Sequence, residues 1–230
     1  PGIGPGNLAG WFLIPQQFAD RCEQANIGFY VIDNCLGQTP CPVGTYCPNL
    51  LTVTPTPCSA GYYCPQGSAS QTQCQPGYFC PTASLAIGQP CQPGYYCPNH
   101  QMISPIICPK GSYCVGSNIN AVPCPSGSYC PNDGMVQPLP CPIGSYCPNQ
   151  GTVNPMPCSS GSYCPNVNTI TPTSCTKGNF CPSGSSTQTS CTVGNFCPND
   201  GLGEPITCPI GYYCPTNGLI QPILLSLIHI

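Results

Sequence analysis

Cysteine is the residue whose number and spacing could do chemistry in this chain. Twenty-two of the 24 cysteines form pairs six residues apart, and eleven such pairs recur every 16 or 17 residues. The first members are Cys41, Cys58, Cys74, Cys91, Cys108, Cys124, Cys141, Cys158, Cys175, Cys191 and Cys208. The second members are Cys47, Cys64, Cys80, Cys97, Cys114, Cys130, Cys147, Cys164, Cys181, Cys197 and Cys214. A cysteine content above about 8–10% is typical of a scaffold of disulfides made in an oxidising compartment, so we expect structural disulfides.

Metal binding and catalysis are the alternative uses of these residue types. Zinc sites use Cys-x-x-Cys-like spacing or mix cysteine with histidine, whereas here cysteines are never closer than six residues and the only histidines are His100 and His229. The acids form no recurring group with histidine or lysine; they are Asp20, Glu23, Asp33, Asp133, Asp200 and Glu204. We interpret Asp133 and Asp200, each in Asn-Asp-Gly, as turn residues. The expectation is a protein without metal, cofactor or enzymatic activity.

Three uniform disulfide pairings are compatible with the spacing. They join Cys41 to Cys47 within a unit, Cys47 to Cys58, or Cys41 to Cys64. Loop entropy gives about 2.4 kcal/mol for the first and about 2.8 kcal/mol for the second, which does not separate them. We favour Cys47–Cys58, because a turn sequence such as Asn149–Gly151 follows the second cysteine and can fold the segment back.

The full repeat is Cys-x-x-Gly-x-(Tyr/Phe)-Cys. The glycine is present in all eleven copies, which indicates a positive φ or a close backbone approach. We expect the aromatic residue to form the core of each unit. These aromatic residues are Tyr46, Tyr63, Phe79, Tyr96, Tyr113, Tyr129, Tyr146, Tyr163, Phe180, Phe196 and Tyr213.

A fixed short period predicts a linear array of small units, each contacting mainly its neighbours. Proline near every unit boundary limits regular ladders of hydrogen bonds. The predicted fold class is a small disulfide-rich repeat array. We expect an elongated rod of 11 units of 16–17 residues, built from turns and very short β-strands with almost no helix.

The repeat divides the chain into three segments. Residues 1–34 form a non-repeat N-terminal segment, in which 25–31 is a degenerate capping unit with Ala25 and Val31 at the cysteine positions and Cys22 and Cys35 nearby. Residues 35–224 are the tandem repeats. Residues 225–230 are an apolar tail, and our hypothesis is that this tail, which contains the adapter-like string LSLIHI, is a sequence artefact. Because the chain starts at Pro1 without a signal peptide, we expect a mature product or a fragment.

Charge is scarce in this chain. Only 4% of its residues are charged, against about 25% in ordinary soluble domains. A net charge of −3 with three basic residues argues against a nucleic-acid partner. The apolar stretch 219–230 has 12 residues and includes Pro222, against about 20 for a membrane span. We therefore expect no nucleic acid and no membrane span within the chain.

Threonine and serine cluster with proline between the units. No Asn-x-Ser/Thr sequon occurs, whereas Ser/Thr runs with proline are typical of O-glycosylation in secreted proteins. The candidate acceptors are Thr52, Thr54, Thr56, Thr169, Thr171 and Thr173. The alternative is that these are ordinary turn and edge residues.

The hexapeptide Cys41-Pro42-Val43-Gly44-Thr45-Tyr46 resembles the ephrin-receptor-like cysteine-rich repeats and, more distantly, tumour-necrosis-factor-receptor modules. The resemblance covers roughly 41–218. The chain departs from that pattern by placing a cysteine directly after the aromatic residue and by lacking Cys-x-x-Cys. The resemblance implies extracellular scaffolding or recognition, as in receptor ectodomains and in protist surface proteins such as those of flagellar hairs (mastigonemes).

These observations lead to an expected function. We expect an extracellular or cell-surface structural protein that forms or coats a filament, with copies of itself and O-linked glycans as partners. The alternative is a ligand-binding or adhesive receptor ectodomain. A surface with little charge tends to associate, and apolar residues between the units should strengthen that tendency. They are Ile103, Ile106, Ile107, Met135, Val136, Met156, Ile206 and Leu219.

Overall fold

The computed structural model describes residues 26–32 and 37–225. The described residues contain 24 short strands and no helix. The strands are β1 (Phe29–Ile32), β2 (Gly37–Pro40), β3 (Thr45–Tyr46), β4 (Thr56–Pro57), β5 (Tyr62–Tyr63), β6 (Thr72–Gln73), β7 (Tyr78–Phe79), β8 (Gln89–Pro90), β9 (Tyr95–Tyr96), β10 (Ile106–Ile107), β11 (Ser112–Tyr113), β12 (Val122–Pro123), β13 (Ser128–Tyr129), β14 (Leu139–Pro140), β15 (Ser145–Tyr146), β16 (Met156–Pro157), β17 (Ser162–Tyr163), β18 (Thr173–Ser174), β19 (Asn179–Phe180), β20 (Thr189–Ser190), β21 (Asn195–Phe196), β22 (Ile206–Thr207), β23 (Tyr212–Tyr213) and β24 (Ile223–Leu224).

Most of these strands form small antiparallel hairpins. The strand that carries the aromatic residue pairs with the strand that precedes the next unit's first cysteine, as when Thr45 faces Pro57 and Tyr46 faces Thr56. All 24 strands are paired, in twelve two-stranded sheets. Beyond β1 and β2 each strand has two residues, and the frequent proline at its end has no N–H to extend the ladder. The predicted tandem array of small disulfide-rich units is confirmed.

A tight turn begins each unit, and its glycine explains part of the repeat. The N–H of Thr45 donates to the carbonyl of Pro42 at 3.1 Å, which closes a turn with Gly44 at its third position. Gly44 has a φ of +79°, as the third position of a type II turn requires. Its carbonyl accepts from the N–H of Cys58 at 3.0 Å. This hydrogen bond therefore joins the turn of one unit to the first cysteine of the next unit.

The core of each unit is its pair of cysteines. The repeat cysteines from Cys41 to Cys197 have at most 2% of their surface exposed. The aromatic residues are only half-buried, and Tyr213 is 44% exposed. The expectation that the aromatic ring forms the core is wrong, because a two-residue hairpin provides no second layer to cover both faces of a ring.

Contacts along the backbone divide the array into two compact parts. The first contains the described residues up to Cys91, together with Cys97–Ile106 and Ser117–Ile119. The second contains Gln92–Tyr96, Ile107–Gly116 and the described residues from Asn120 onward. The same hairpins and the same junctions occur in both parts.

From the second unit onward, a residue in each loop adopts a left-handed backbone, and its position accounts for the two repeat lengths. We call it the loop residue. In successive units it is Gly67, Ser84, Gln101, Ser117, Gly134, Gly151, Asn168, Gly184, Gly201 and Gly218, all with positive φ. In the three 16-residue units, which begin at Cys58, Cys108 and Cys175, the loop residue follows the second cysteine by three positions instead of four. The 16-residue units therefore have one residue fewer between the second cysteine and the loop residue. The spacing in the rest of the unit is unchanged.

Where the loop residue is not glycine, a substitution to glycine is expected to stabilise the protein. Ser84 has a φ of +60°, so Ser84→Gly should raise the free energy of unfolding by about 0.5–1 kcal/mol. Gly134 has a φ of +73° and room for a Cβ, the nearest atom being an Ile107 side-chain carbon at 3.5 Å. Gly134→Ala should therefore cost about 1–2 kcal/mol through the backbone alone. Denaturant unfolding with the disulfides intact measures both changes, and a less stable Ser84→Gly variant would contradict this account.

Candidate functional site in the disulfide rings and unit junctions

All 22 repeat cysteines are joined in disulfides within their own units. Each disulfide links a first cysteine to the second cysteine six residues on, with Cα–Cα distances of 6.0–6.2 Å. The preference for Cys47–Cys58 is wrong, because the glycine turn folds the five intervening residues back and brings Cys41 to Cys47. Cys22 and Cys35 lie outside the described residues.

Three main-chain hydrogen bonds join each unit to the next. At the junction between the units that begin at Cys141 and Cys158, the N–H of Gly144 donates to the carbonyl of Cys164 at 2.9 Å. The N–H of Cys147 donates to the carbonyl of Thr169, and the N–H of Asn168 donates to the carbonyl of Cys141, both at 2.9 Å. The same three bonds recur at all ten junctions between the eleven units. Only main-chain atoms take part in these three bonds.

The segment before the first unit joins the array through two bonds of the same kind. Gly28 has a φ of +84°, and its N–H donates to the carbonyl of Cys47 at 2.9 Å. The N–H of Val31, at a cysteine position of the repeat, donates to the carbonyl of Thr52 at 2.9 Å. Residues 29–32 thus dock on the first unit without a cysteine at position 31. Ala25, the other degenerate cysteine position, lies outside the described residues.

Units two positions apart are also in contact, at the repeat glycine. A Cβ on Gly127 would lie 2.7 Å from the carbonyl oxygen of the loop residue Asn168, and one on Gly111 would lie 2.8 Å from that of Gly151. Every repeat glycine from Gly44 to Gly178 faces a loop carbonyl in this way. The last two, Gly194 and Gly211, have positive φ and no such neighbour within 4 Å among the residues that the structure describes. The expectation that units contact mainly their immediate neighbours therefore omitted a contact, and this contact explains the invariant glycine as much as the turn does.

Side chains of the Asn-Asp-Gly turns reach back to the preceding unit. The N–H of Lys110 donates to Oδ1 of Asp133 at 2.8 Å, and the N–H of Lys177 donates to Oδ1 of Asp200 at 2.7 Å. Asn217 accepts from the N–H of Val193 in the same way at 3.1 Å. The turn sequence gave no indication that these side chains would bridge two units.

Replacing Asp133 tests the strength of this bridge. Asp133→Ala removes the acceptor of the Lys110 N–H and should lower the free energy of unfolding by about 0.5–1.5 kcal/mol. Asp133→Asn keeps an acceptor oxygen, as Asn217 does, and should cost less than the alanine variant. Thermal unfolding of the two variants measures the difference, and equal melting temperatures would show that the bridge contributes nothing.

A second side-chain bridge, which was not predicted from the sequence, lies within the hairpin. In the units that have this bridge, a glutamine lies three residues before the first cysteine of the next unit. Its side-chain oxygen accepts a hydrogen bond from the main-chain N–H of the residue that follows the first cysteine of its own unit. Ser59 donates to Oε1 of Gln71 at 3.1 Å, and Thr176 donates to Oε1 of Gln188 at 2.7 Å. Most other units carry proline at this position. The signal in the sequence is that glutamine occurs there only where the N–H partner is not a proline.

The candidate glycosylation sites fall into two groups. Thr52 is 8% exposed, and its hydroxyl donates to the carbonyl of Asn49 at 2.8 Å. The hydroxyl of the half-buried Thr169 donates to the carbonyl of Asn166 at 2.6 Å. The other four candidates are exposed, and they are Thr54, Thr56, Thr171 and Thr173. Glycosylation stays a prediction, and the accessible acceptors are these four.

The surface between the turns is apolar and nearly uncharged. Six of the eight predicted apolar surface residues are 39–56% exposed, and they are Ile103, Ile106, Ile107, Val136, Met156 and Ile206. Met135 and Leu219 are instead half-buried, and their carbonyls accept junction hydrogen bonds from the N–H groups of Cys114 and Cys197. The described residues include five charged side chains, and they are Lys110, Asp133, Lys177, Asp200 and Glu204.

Within the described ranges, no cluster of histidine, cysteine and acidic side chains could hold a metal ion. His100 is exposed, and His229 lies outside those ranges, as do residues 226–230 of the apolar tail. No helix in the described part of the chain is long and apolar enough to cross a membrane. A comparison with protein-family models and with curated proteins found no match to this chain.

Proposed function

We propose that this chain is an extracellular structural repeat protein, a building element of a filament or cell-surface assembly that carries O-linked glycans. The junction is the observation that carries the proposal, since ten junctions use the same three main-chain hydrogen bonds. Such an array keeps its geometry while surface residues vary, as a building element requires. Its eleven disulfides form under oxidising conditions, which supports an extracellular location. The resemblance to ephrin-receptor-like repeats supports the same role.

The surface supports self-association together with glycosylation. Five charged side chains among the described residues leave little ionic surface to hydrate the protein, and near-neutral surfaces tend to associate. Exposed Ile106 and Ile107, at 40% and 48%, add an apolar edge to one hairpin. Copies of the chain would cover part of this surface. Sugars on the exposed threonines would hydrate the remainder.

A receptor ectodomain is the second candidate function. Recognition surfaces concentrate binding energy in a few aromatic or charged anchors, and a receptor would be expected to break the repeat with a distinctive loop. Here the loops differ by one residue at most, which favours the structural role. One feature favours recognition, a cleft in the third unit whose lining includes two tyrosine rings.

Electron microscopy and mass spectrometry of material from its natural source test the proposed function. We expect fibres or sheets that contain the chain, with hexose- or hexosamine-bearing peptides at Thr54, Thr56, Thr171 or Thr173. Reduction should disperse the assembly, because the disulfides form the core of every unit. An unmodified monomer that stays soluble at high concentration would overturn the proposal.

A further inference from the structure

A cleft of about 280 Å³ opens beside the third unit. It is lined by Tyr63, Cys74, Gln75, Tyr78, Ile87 and Gly88. Tyr78 is 42% exposed and Ile87 is 72% exposed, whereas Cys74 is fully buried in its disulfide. The cleft therefore offers two tyrosine rings, one amide side chain and no charge. A volume close to the lower end of ligand sites, about 300 Å³, suits one small ring rather than a chain.

The cleft exists because Gly88 stands where other units carry a side chain. This is the position three residues before a first cysteine, which is proline before six of the eleven first cysteines and glutamine at Gln38, Gln71 and Gln188. The φ of Gly88 is not positive, so the backbone does not require glycine there. A Cβ on Gly88 would lie 3.0 Å from Sγ of Cys74 and 3.5 Å from Cβ of Tyr78. A side chain at position 88 would therefore begin next to Cys74 and Tyr78, two residues that line the cleft.

The main chain of the cleft presents a donor that two other units, the sister units, satisfy with a glutamine side chain, whereas the units with Gln92, Ser159 or Thr192 after the first cysteine carry proline in place of that glutamine. The amide N–H after the first cysteine donates to glutamine Oε1 in Ser59–Gln71 and Thr176–Gln188, at 3.1 and 2.7 Å. In the third unit the equivalent donor is the N–H of Gln75, which has no partner among the described residues. The sister units thus show which acceptor fits this donor: an uncharged amide carbonyl oxygen.

We propose that this cleft binds a neutral sugar ring that bears an acetamido group. The acetamido oxygen accepts from the N–H of Gln75, as glutamine Oε1 does in the sister units. The apolar face of the ring packs on Tyr78 and Tyr63, since tyrosine combines a large flat apolar body with a polar hydroxyl. The Gln75 side chain and the two tyrosine hydroxyls supply donors and acceptors for the sugar hydroxyls. The absence of charge in the lining excludes an acidic sugar as the preferred ligand. This inference adds a recognition function and does not depend on the filament proposal.

Nuclear magnetic resonance titration of the whole 230-residue chain tests the site directly. N-acetylglucosamine and N-acetylgalactosamine should shift the Gln75 amide and the Tyr78 ring resonances, with a dissociation constant on the order of 1–10 mM. Glucose, which lacks the acetamido group, should bind at least about tenfold more weakly. A peptide that carries N-acetylgalactosamine on a threonine distinguishes a protein-linked glycan from the free sugar as the source of the ring. Tighter binding of that peptide assigns a glycan as the ligand, and equal binding shows recognition of the ring alone.

Two variants and one control connect the binding to the cleft. Gly88→Gln restores the internal acceptor of the sister units and should abolish the Gln75 shift. Tyr78→Ser introduces the residue found at this position as Ser112 and Ser128, and should weaken binding at least about tenfold. Tyr212→Ser removes an equally exposed tyrosine, 40% against 42%, outside the cleft and should leave binding unchanged. No shift with either acetamido sugar, or unchanged binding in Gly88→Gln and Tyr78→Ser, would overturn the proposal.

Discussion

Gly127→Ala is expected to destabilise the array by about 1–3 kcal/mol more than Gly194→Ala. Both glycines have nearly the same φ, +83° and +85°, so both variants incur a left-handed backbone penalty of about 1–2 kcal/mol. A Cβ on Gly127 would also lie 2.7 Å from the carbonyl oxygen of Asn168, whereas nothing lies within 4 Å of a Cβ on Gly194. The extra cost is that of overpacking against a main-chain atom, about 1–3 kcal/mol.

Hydrogen exchange and denaturant unfolding measure this difference. The N–H of Asn168 bonds the carbonyl of Cys141, and the N–H of Gly218, the loop residue of the unit that follows Gly194, bonds the carbonyl of Cys191. Gly127→Ala should reduce the protection of the Asn168 amide, because the loop must move away from the new methyl group. Gly194→Ala should leave the Gly218 amide protected. Equal losses of stability in the two variants would show that contacts between units two positions apart do not contribute to the free energy of unfolding.

Removing one internal disulfide is expected to have the largest local effect. The double variant Cys141→Ala, Cys147→Ala loses a six-residue cross-link worth about 2.4 kcal/mol in loop entropy. It also loses the buried sulfurs, since both cysteines have no exposed surface. We expect a total loss of about 3–5 kcal/mol, within the range for native disulfides of small secreted domains. The carbonyl of Cys141 and the N–H of Cys147 both take part in the junction with the following unit, so that junction should open first.

The matched control is Cys208→Ala, Cys214→Ala in the eleventh unit. Cys208 is half-buried and Cys214 is 5% exposed, so less buried surface is lost there. We expect a smaller change in the free energy of unfolding, with the earlier junctions still protected from hydrogen exchange. If the terminal pair cost as much as the internal pair, the stabilisation would be purely a matter of chain entropy. The buried sulfur core would then contribute nothing.

The repeat length and the turn chemistry are enough to predict the unit. A glycine present in every copy indicates positive φ, and the structure shows it at Gly44 and at each equivalent position. Two-residue strands follow from proline near the boundaries. The disulfide pairing was not predictable from loop entropy, because the competing loops differ by only about 0.4 kcal/mol. What decides the pairing is the direction of the chain after the Gly44 turn, which is a property of local geometry.

The interactions between units were harder to predict than the units. Gly127 meets a loop residue 41 positions away, a separation that exceeds two periods and leaves no local pattern. The bridge from Asp133 to the Lys110 N–H also crosses a unit boundary. The aromatic residues misled the prediction of the core, because a ring suggests burial while a single hairpin covers only part of it. The cleft at Gly88 was visible in the sequence only as the one glycine at a position that is otherwise proline, glutamine or alanine.

Disulfides closed within each unit give the chain a mechanical property. Under tension an unlinked 17-residue segment could extend to about 58 Å, at about 3.4 Å per residue. The two cysteines of each seven-residue ring are held at a Cα–Cα distance of 6.0–6.2 Å, so a linked unit extends to only about 43 Å. The junction hydrogen bonds between units break before any covalent link is stretched. A pulled chain should therefore lengthen in small, nearly equal steps, and its intact rings should let each unit re-form when the force is released.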